Sequence, residues 1–361
     1  MKKNLFSLLY AAFLLIAWNF AFASTVTSVR VHNESNTSHT NPIVTFGQVF
    51  APGDVPAGSL VSASIDGTEI KTQTTIKATH ADGSLRHAII SLQVPSISAS
   101  DTSFIRITTG GSAPTGSDVS LSEIPSAFNA VVNLNVGGTS YMLAAKPLLS
   151  ANPIAWFTGP LASEWIVGGP VENGGIAHPH LAAYFHVRVH KDGRVRVNVV
   201  IENGWLLESG PQTFDYDATV TVGSEVYSVN LSQPHHTRWH RIFWWKGASE
   251  ADPKLLTTHD TEYLQSTGAV PNYADLSPSD SYLNSLRDYV DPLDNGDHTD
   301  RMSNAGYQPA IGLLPKWAAI SLVSADTRAL KAVLAHASGG GAYGSPYRDR
   351  PTGHPPAFPD P

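Results

Sequence analysis

Residues 180–202 read HLAAYFHVRVH-KDG-RVRVNVVIE, and this stretch decides the fold. Apolar and polar residues alternate on both sides of Lys191-Asp192-Gly193, a tripeptide typical of a tight turn. Alternation places successive side chains on opposite faces of a strand. The stretch therefore predicts a long antiparallel hairpin.

Similar signals recur about every ten residues from Ser24 to Lys246. Asp66-Gly67 joins two strand-like runs, 60–65 and 70–79, and is typical of a type I′ turn. Asp82-Gly83 and Gly137-Gly138 mark two more turns. The remaining strand-like runs are 25–32, 43–51, 85–94, 104–108, 131–136, 139–143, 213–222 and 226–231. Short strands with frequent turns predict two β-sandwich domains, residues 24–110 and 128–250, joined by a linker of Gly, Ser, Pro and Thr over 111–127.

The pattern changes to helical beyond residue 251. Helices are expected over 253–266, over 279–290 with Ser277 as N-cap, over 312–324 and over 326–337, with Gly339-Gly340-Gly341 ending the last. The fold class is thus mainly β with a C-terminal α region, 251–345, followed by a Pro-rich tail, 346–361. Two interpretations stay open: a small helical subdomain, or the truncated start of an α/α toroid in a longer enzyme.

The composition and the N-terminal residues limit the class of protein and its location. The chain has 361 residues, a net charge of −7 and no cysteine, which excludes disulfide scaffolds and thiolate metal sites, and no basic patch suggests nucleic acid. Lys2 and Lys3, the apolar run 5–17 and Ala21-Phe22-Ala23 predict a bacterial signal peptide, residues 1–23, cleaved before Ser24. A retained membrane anchor is the alternative. We expect a periplasmic or secreted protein with no other membrane contact.

Histidine is the unusual residue, with 15 in the chain. One cluster is His178-Pro179-His180, with His186 and His190 along the following strand; His180, His186 and His190 share a parity and so one face of that strand. The other is the segment 234–245, which adds arginines and tryptophans. In one interpretation His178, His180 and His235 hold a divalent metal such as zinc, copper or calcium. In another, the histidines only form hydrogen bonds within loops.

A catalytic interpretation uses the second cluster. β-Elimination on a uronate needs a proton acceptor, a cation beside the carboxylate and a proton donor for the leaving oxygen. His236 and His240 are the candidates for proton transfer, and Arg238 for holding the carboxylate. Indoles stack on sugar rings and Arg grips carboxylates, so the substrate-binding candidates are Trp239, Trp244, Arg241 and Trp205. The alternative is an edge strand with a buried tryptophan cluster.

Other chemistries have weaker signals. Glycoside hydrolysis needs two carboxylates, and the best candidate is Glu202, ahead of Glu164, Glu172 and Glu208. The acidic stretch 291–300 lacks the spacing of a calcium loop. The glycines 339, 341 and 344 follow a helix, which excludes a dinucleotide-binding turn.

An ordered set of short motifs resembles the N-terminal β-domain of the exo-rhamnogalacturonan lyase-like proteins over residues 43–94. The motifs are Val44-Thr45-Phe46-Gly47, Pro52-Gly53, Asp66-Gly67, Gln73 and Ala81-Asp82-Gly83-Ser84-Leu85-Arg86-His87, with His87 where that family has Trp. Residues 311–317 and 347–349 are similar to the start of the α/α toroid that follows such domains. The resemblance implies this architecture and a polysaccharide setting.

The sequence therefore favours an exported polysaccharide-processing protein, lyase-like if it is active, that acts on an acidic, uronate-containing poly- or oligosaccharide. The alternatives are a non-catalytic carbohydrate-binding or cell-surface β-sandwich protein, and a His-ligated metal-binding protein.

Overall fold

The structure, a computed structural model, describes residues 24–151, 153–247, 252–274, 276–294, 296–297, 312–342 and 347–353. It is mainly β with a few small helices near the C-terminus, which confirms the predicted fold class. The predicted signal peptide and the tail beyond residue 353 lie outside the described residues. Within the described ranges, no helix is both long and apolar enough to cross a bilayer.

The first part of the chain forms a β-sandwich. Its strands are β1 (Thr25–Asn33), β2 (His39–Thr40), β3 (Ile43–Val49), β4 (Leu60–Ile65), β5 (Thr68–Ile70), β6 (Thr72–Thr79), β7 (Leu85–Gln93), β8 (Ser96–Ile97) and β9 (Thr102–Gly111). One layer is the sheet β1-β9-β4-β5, and the other is β3-β7-β6. Val31 and Ile107 from the first layer pack with Ile90 and Leu92 from the second, and all four are fully buried. This burial holds the layers together.

The Asp66-Gly67 turn forms as predicted, with φ of 50° and 78° at the two residues. The run 70–79, however, is not one strand. Its first residue ends β5, and after Lys71 the chain crosses to the other layer as β6. The crossing explains why the predicted hairpin is only three register pairs long.

The second part of the chain is also sandwich-like, but its two layers belong to one continuous sheet. After a 3₁₀ turn (Leu121–Glu123) it contains β10 (Ala130–Val136), β11 (Thr139–Ala144), α1 (Ala145–Ala151), β12 (Ile154–Phe157), β13 (Ala162–Asn173), β14 (Ile176–His190), β15 (Val195–Asn203), β16 (Phe214–Val222), β17 (Glu225–Gln233) and β18 (Thr237–Trp245). The strand order is β17-β16-β10-β11-β13-β14-β15-β18, with β12 beside β13. β11 and β13 share a single register pair, Met142 with Glu172. The sheet turns a corner there and encloses one core.

The helical part departs from prediction in two places. The segment 253–266 is helical only over α2 (Thr261–Ser266), because Leu255–His259 forms β19 and pairs with β1 from Asn33 to Val29. The expected helix 279–290 shrinks to α3 (Asp280–Leu283), because the N–H groups of Ser285 and Leu286 bond three residues back. Its N-cap is Ser279, whose hydroxyl accepts from the backbone of Tyr282, and not Ser277.

The last two helices are α4 (Lys316–Ser324) and α5 (Thr327–Gly340). Asp326 caps α5, as expected near its start, by accepting from the backbone N–H of Arg328 at 2.8 Å. The helix ends within the predicted run Gly339-Gly340-Gly341, at Gly340 with Gly341 as C-cap, and Gly339 still belongs to it. A Cβ there would lie 2.6 Å from the Val290 side chain, so the glycine allows close packing.

The two β-parts are joined by a buried amide. Gln73 of β6 is 2% exposed. Its Oε1 accepts from the backbone N–H groups of Leu161 (2.8 Å) and Ala162 (3.0 Å), and its Nε2 donates to the Ala162 carbonyl at 2.9 Å. A Cβ on Gly159 would overlap this amide, at 2.1 Å from its carbon. Gln73 and Gly159 therefore fix how the first sandwich meets β13.

Replacing Gln73 with Ala should destabilise the protein strongly. Two buried N–H groups would lose their acceptor, and each unsatisfied group costs about 1–3 kcal/mol. Gln73→Glu keeps the acceptor but loses the donor and buries a carboxylate beside the Ala162 carbonyl oxygen, so a loss at least as large is expected. Urea denaturation of both variants measures the order. Equal stability of Gln73→Ala and the wild type would show that this joint is not needed.

Candidate functional site

The structure brings the two histidine clusters together at one end of the second sandwich. The ring centroids of His180 and His235 lie 6.4 Å apart, as do those of His178 and His180. The turn 234–236 between β17 and β18 carries the second cluster over to the first. The sequence thus correctly associated 178–180 with the segment 234–245 in space.

The hydrogen bonds of these rings serve the backbone. Nδ1 of His178 accepts from the N–H groups of His180 (3.1 Å) and Leu181 (2.9 Å), so its proton lies on Nε2. Nε2 of His180 donates to the Ser209 carbonyl, and Nε2 of His235 donates to the Trp205 carbonyl, each at 3.1 Å. In the neutral His178 ring, no lone pair remains for a metal.

The arrangement of the ionisable side chains also argues against a metal site. Across the described ranges, no group of three or more His, Asp or Glu side chains is arranged to hold a metal ion. His178 also packs edge-on against Tyr141 and Phe214, at ring distances of 4.8 and 5.1 Å. These histidines act here as links between strand ends.

His236 and Arg238 contact the C-terminal part of the chain. His236 has φ of 60°, a left-handed conformation that is rare outside glycine, and its ring lies 4.2 Å from that of Tyr347. Nε of Arg238 donates to the Gly341 carbonyl at 2.6 Å, and its backbone N–H donates to Ala342 at 2.8 Å. Both residues therefore anchor the segments that follow α5.

The four predicted substrate-binding residues differ in how far their side chains are buried. Trp239 and Trp205 are each 3% exposed, and Trp239 stacks on Tyr227 inside the core, so these indoles offer no open face to a sugar. Trp244 is half-buried and stacks on His190 at 5.6 Å. Arg241 lies over the Tyr227 ring, 4.0 Å from its centroid. Trp244 alone keeps an indole on an outer surface.

That surface is the outside of the four strands β13, β14, β15 and β18, called here the polar face. In antiparallel pairing, residues in register share a face. The register gives four rows across the strands, with members in the order β13, β14, β15, β18. The rows are Glu164, Arg188, Arg196, Trp244; Ile166, His186, Asn198, Ile242; Gly168, Tyr184, Val200, His240; and Pro170, Ala182, Glu202, Arg238.

The middle rows hold two imidazoles. Nδ1 of His240 lies 3.3 Å from Oδ1 of Asn198, and its Nε2 lies 2.9 Å from Oγ of Ser338 on α5. Among the described residues, none forms a hydrogen bond with the ring of His186. Burial lowers the pKa of both rings, so both are neutral near pH 7. His186 thus has a basic nitrogen that the fold does not use.

The first row concentrates positive charge. Nε of Arg188 pairs with Glu164 at 2.6 Å. In the part of the chain described, no carboxylate lies within ion-pair distance of Arg196, although Glu164 and Asp252 act on it from further away. Burial, then Arg188, lowers the pKa of Arg196 to about 10, so it remains charged at neutral pH. Its guanidinium is available to an anionic ligand.

Arg348 lies over one residue of the third row, Tyr184, and one of the fourth, Glu202. Its guanidinium forms a bidentate ion pair with Glu202, in which Nη2 and Oε1 are 3.1 Å apart. It also lies 4.4 Å from the centroid of the Tyr184 ring. The best glycosidase candidate is therefore bound in an ion pair. Oη of Tyr184 is buried and has no hydrogen-bond partner among the described groups, and burial raises its pKa to about 12.

Sequence reasoning singled out His186 only as a histidine that shares a face with His180 and His190, and it proposed His240 but none of Tyr184, His186, Arg188, Arg196 and Asn198 as a site residue. It searched for dense motifs, and these residues are spread over two strands. The available signal was parity, because positions 184, 186 and 188 and positions 196 and 198 alternate with the apolar core positions of the deciding hairpin.

His190, beyond the first row, predicts acid sensitivity. It is 3% exposed, and burial lowers its pKa to about 3. An imidazole whose pKa falls on folding stabilises the fold fully above pH 6.5, and this stability is lost as the pH falls toward the folded-state pKa. The slope reaches about 1.4 kcal/mol per pH unit. His190→Phe keeps the ring on Trp244 and should flatten the curve of unfolding free energy between pH 6.5 and 4. Parallel curves for variant and wild type would exclude this origin.

The chain was also compared with known proteins. No protein-family model matches it, and no curated protein matches it. The chemistry of the polar face must therefore be inferred from its own residues.

Proposed function

We propose that the protein is an exported polysaccharide-processing protein that binds a uronate-containing glycan on the polar face and cleaves it by β-elimination. One observation carries the proposal. One face of one hairpin carries a basic imidazole (His186), a buried hydroxyl (Tyr184) and a guanidinium (Arg196), and none of the three has a hydrogen-bond or ion-pair partner among the described residues.

The three groups match the three needs of the reaction. Arg196 binds the uronate carboxylate and stabilises the enolate that develops beside it. His186, neutral at pH 7, removes the proton next to that carboxylate. As the bond to the leaving oxygen breaks, that oxygen takes the proton of the Tyr184 hydroxyl. Tyr184 and His186 are two residues apart on one strand, about 7 Å between Cα atoms.

His240 has a positioning role in this scheme. It connects Asn198, the neighbour of His186 in the second row, to Ser338 of α5. This contact fixes the amide, which can then hold a second oxygen of the substrate carboxylate. The predicted carboxylate-binding residue Arg238 is replaced by Arg196, because the Nε of Arg238 is bonded to Gly341.

The alternative is a non-catalytic carbohydrate-binding protein. It is favoured by the ion pair of Arg348 with Glu202, which holds the guanidinium over Tyr184. On that alternative the face binds the same acidic glycan without turnover.

Two variants separate chemistry from folding. Tyr184→Phe removes a hydroxyl that has no hydrogen bond to the described residues, so the melting temperature should stay equal or rise, while formation of unsaturated uronate should fall. His186→Gln should lower the rate about 10²–10⁴-fold, the usual contribution of a general base. Absorbance of the unsaturated product on polygalacturonate measures both. Binding by the wild type without any absorbance change would favour the non-catalytic alternative.

The pH profile should follow His186. Burial lowers its pKa, Arg196 and Arg348 add to this, and Glu164 and Glu202 oppose it. The base form therefore predominates above pH 6.5, and the rate should decline only below that value, as the ring takes up a proton. Initial rates measured from pH 4 to 8 give the midpoint of this decline. A midpoint above pH 6.5 would exclude His186 as the base.

A further inference from the structure

The first row of the polar face continues beyond β13 toward the first sandwich. Phe157 of β12 is in register with Glu164, and the Arg188 guanidinium lies 5.4 Å from the Phe157 ring centroid. Next to Phe157 is Trp156, which contacts Lys77 of β6. Trp156 is the unpaired residue of a β-bulge, and Glu164 of the first row acts electrostatically on Lys77. The line from Trp244 along the first row therefore ends at Lys77 and Trp156, beside the junction of the two sandwiches.

We propose that an acidic glycan chain lies across the strands along this line, and that Trp156 and Lys77 form an outer subsite for one of its uronate units. This rests on the proposed function, because it specifies how the substrate of the same face is held. The line is called here the glycan track and consists of Trp156, Lys77, Arg188, Arg196 and Trp244.

The exposure of Trp156 supports a binding role. Its side chain is 48% exposed, whereas Trp165, Trp205, Trp239, Trp245 and Trp317 are all at most 9% exposed. Other large apolar side chains are exposed in this chain as well, but an indole differs from them in offering a broad face that stacks on a sugar ring. A flat aromatic ring on an edge strand is suited to stack on a sugar ring.

Lys77 adds charge to this ring. Its Nζ lies 3.9 Å from the indole centroid and donates to the Trp156 carbonyl oxygen, so the ammonium is fixed beside the indole. A uronate on the exposed part of the indole would bring its carboxylate near this ammonium. The Gln73 joint lies four residues earlier on the same strand and fixes β6 against the second sandwich.

The charges along the track match a polyanion. Lys77, Arg188 and Arg196 are cationic, and Glu164 and Asp252 are the carboxylates that act on them. One positive charge is left over, and Arg196 has the free guanidinium. A neutral glycan would gain the aromatic contacts alone and should bind more weakly.

The glycan track is so long that only an oligosaccharide can cover it. β12 and β18 are separated by four strand spacings, about 19 Å. One monosaccharide cannot contact Trp156 and Trp244 together. Affinity should therefore increase with chain length until both indoles are covered.

The test compares oligogalacturonates of two and eight units by calorimetric titration. Trp156→Ala should weaken binding of the octamer at least 10-fold and of the dimer less than 2-fold. Lys77→Gln should weaken the octamer and reduce the dependence of its affinity on salt, since one ionic contact is lost. Cello-octaose, a neutral chain, should bind at least 10-fold more weakly than the acidic octamer.

A matched control exists on the first sandwich. Phe104 is 63% exposed and lies 5.2 Å from the Arg30 guanidinium, so Phe104→Ala removes an exposed aromatic from another cation–π pair. It should leave both affinities within 2-fold. An octamer affinity of Trp156→Ala equal to the wild type, or an equal loss in Phe104→Ala, would overturn the track.

The outcome separates the track from the catalytic proposal. Tight, length-dependent binding that Trp156→Ala weakens, without any unsaturated product, supports the track and refutes β-elimination. Product formation with the same KM for long chains in Trp156→Ala and the wild type supports the reaction and refutes the track.

Discussion

The polar face depends on one buried amide. Gln73 reaches from the first sandwich into the loop before β13 and satisfies three backbone groups there, at Leu161 and Ala162. Amide groups buried without partners are costly, so the loop and the glutamine can only be buried together. The absence of a side chain at Gly159 leaves room for the amide. This contact sets the position of Lys77, four residues further on, relative to the first row of the polar face.

The corner in the second sheet explains why the conspicuous histidines became structural. The sheet turns where β11 and β13 share one register pair, and the turn 234–236 carries the chain from one layer to the other. Strand ends at such a crossing leave N–H and C=O groups without ladder partners. Imidazoles can donate and accept, and His178, His180 and His235 fill this need. Their concentration in sequence reflects the geometry of the crossing.

The sequence predicted the hairpins well, because Asp66-Gly67 and the KDG turn impose local geometry that tertiary packing does not change. It failed where distant contacts decide. Strand β13 contains Gly168-Gly169-Pro170, which is typical of a loop, yet Gly168 is required because a Cβ would lie 2.4 Å from the Tyr184 ring. The segment of strand β19 was predicted as helix because its pairing with β1, more than 200 residues away, leaves no local signal in the sequence. The prediction of the site was incomplete for the same reason. His240 belongs to a dense motif, whereas its neighbours on the polar face are brought beside it by the register of strands β14, β15 and β18.

The polar face holds two groups that the described residues leave unsatisfied. Arg196 is desolvated without an ion pair from the described residues, and the hydroxyl of Tyr184 is buried without a partner among them. Either feature costs free energy that a Leu or Phe at the same position would not. A strand face selected for stability alone would be apolar where covered and freely hydrated where open. A ligand that carries a carboxylate and an oxygen to protonate would satisfy both groups at once.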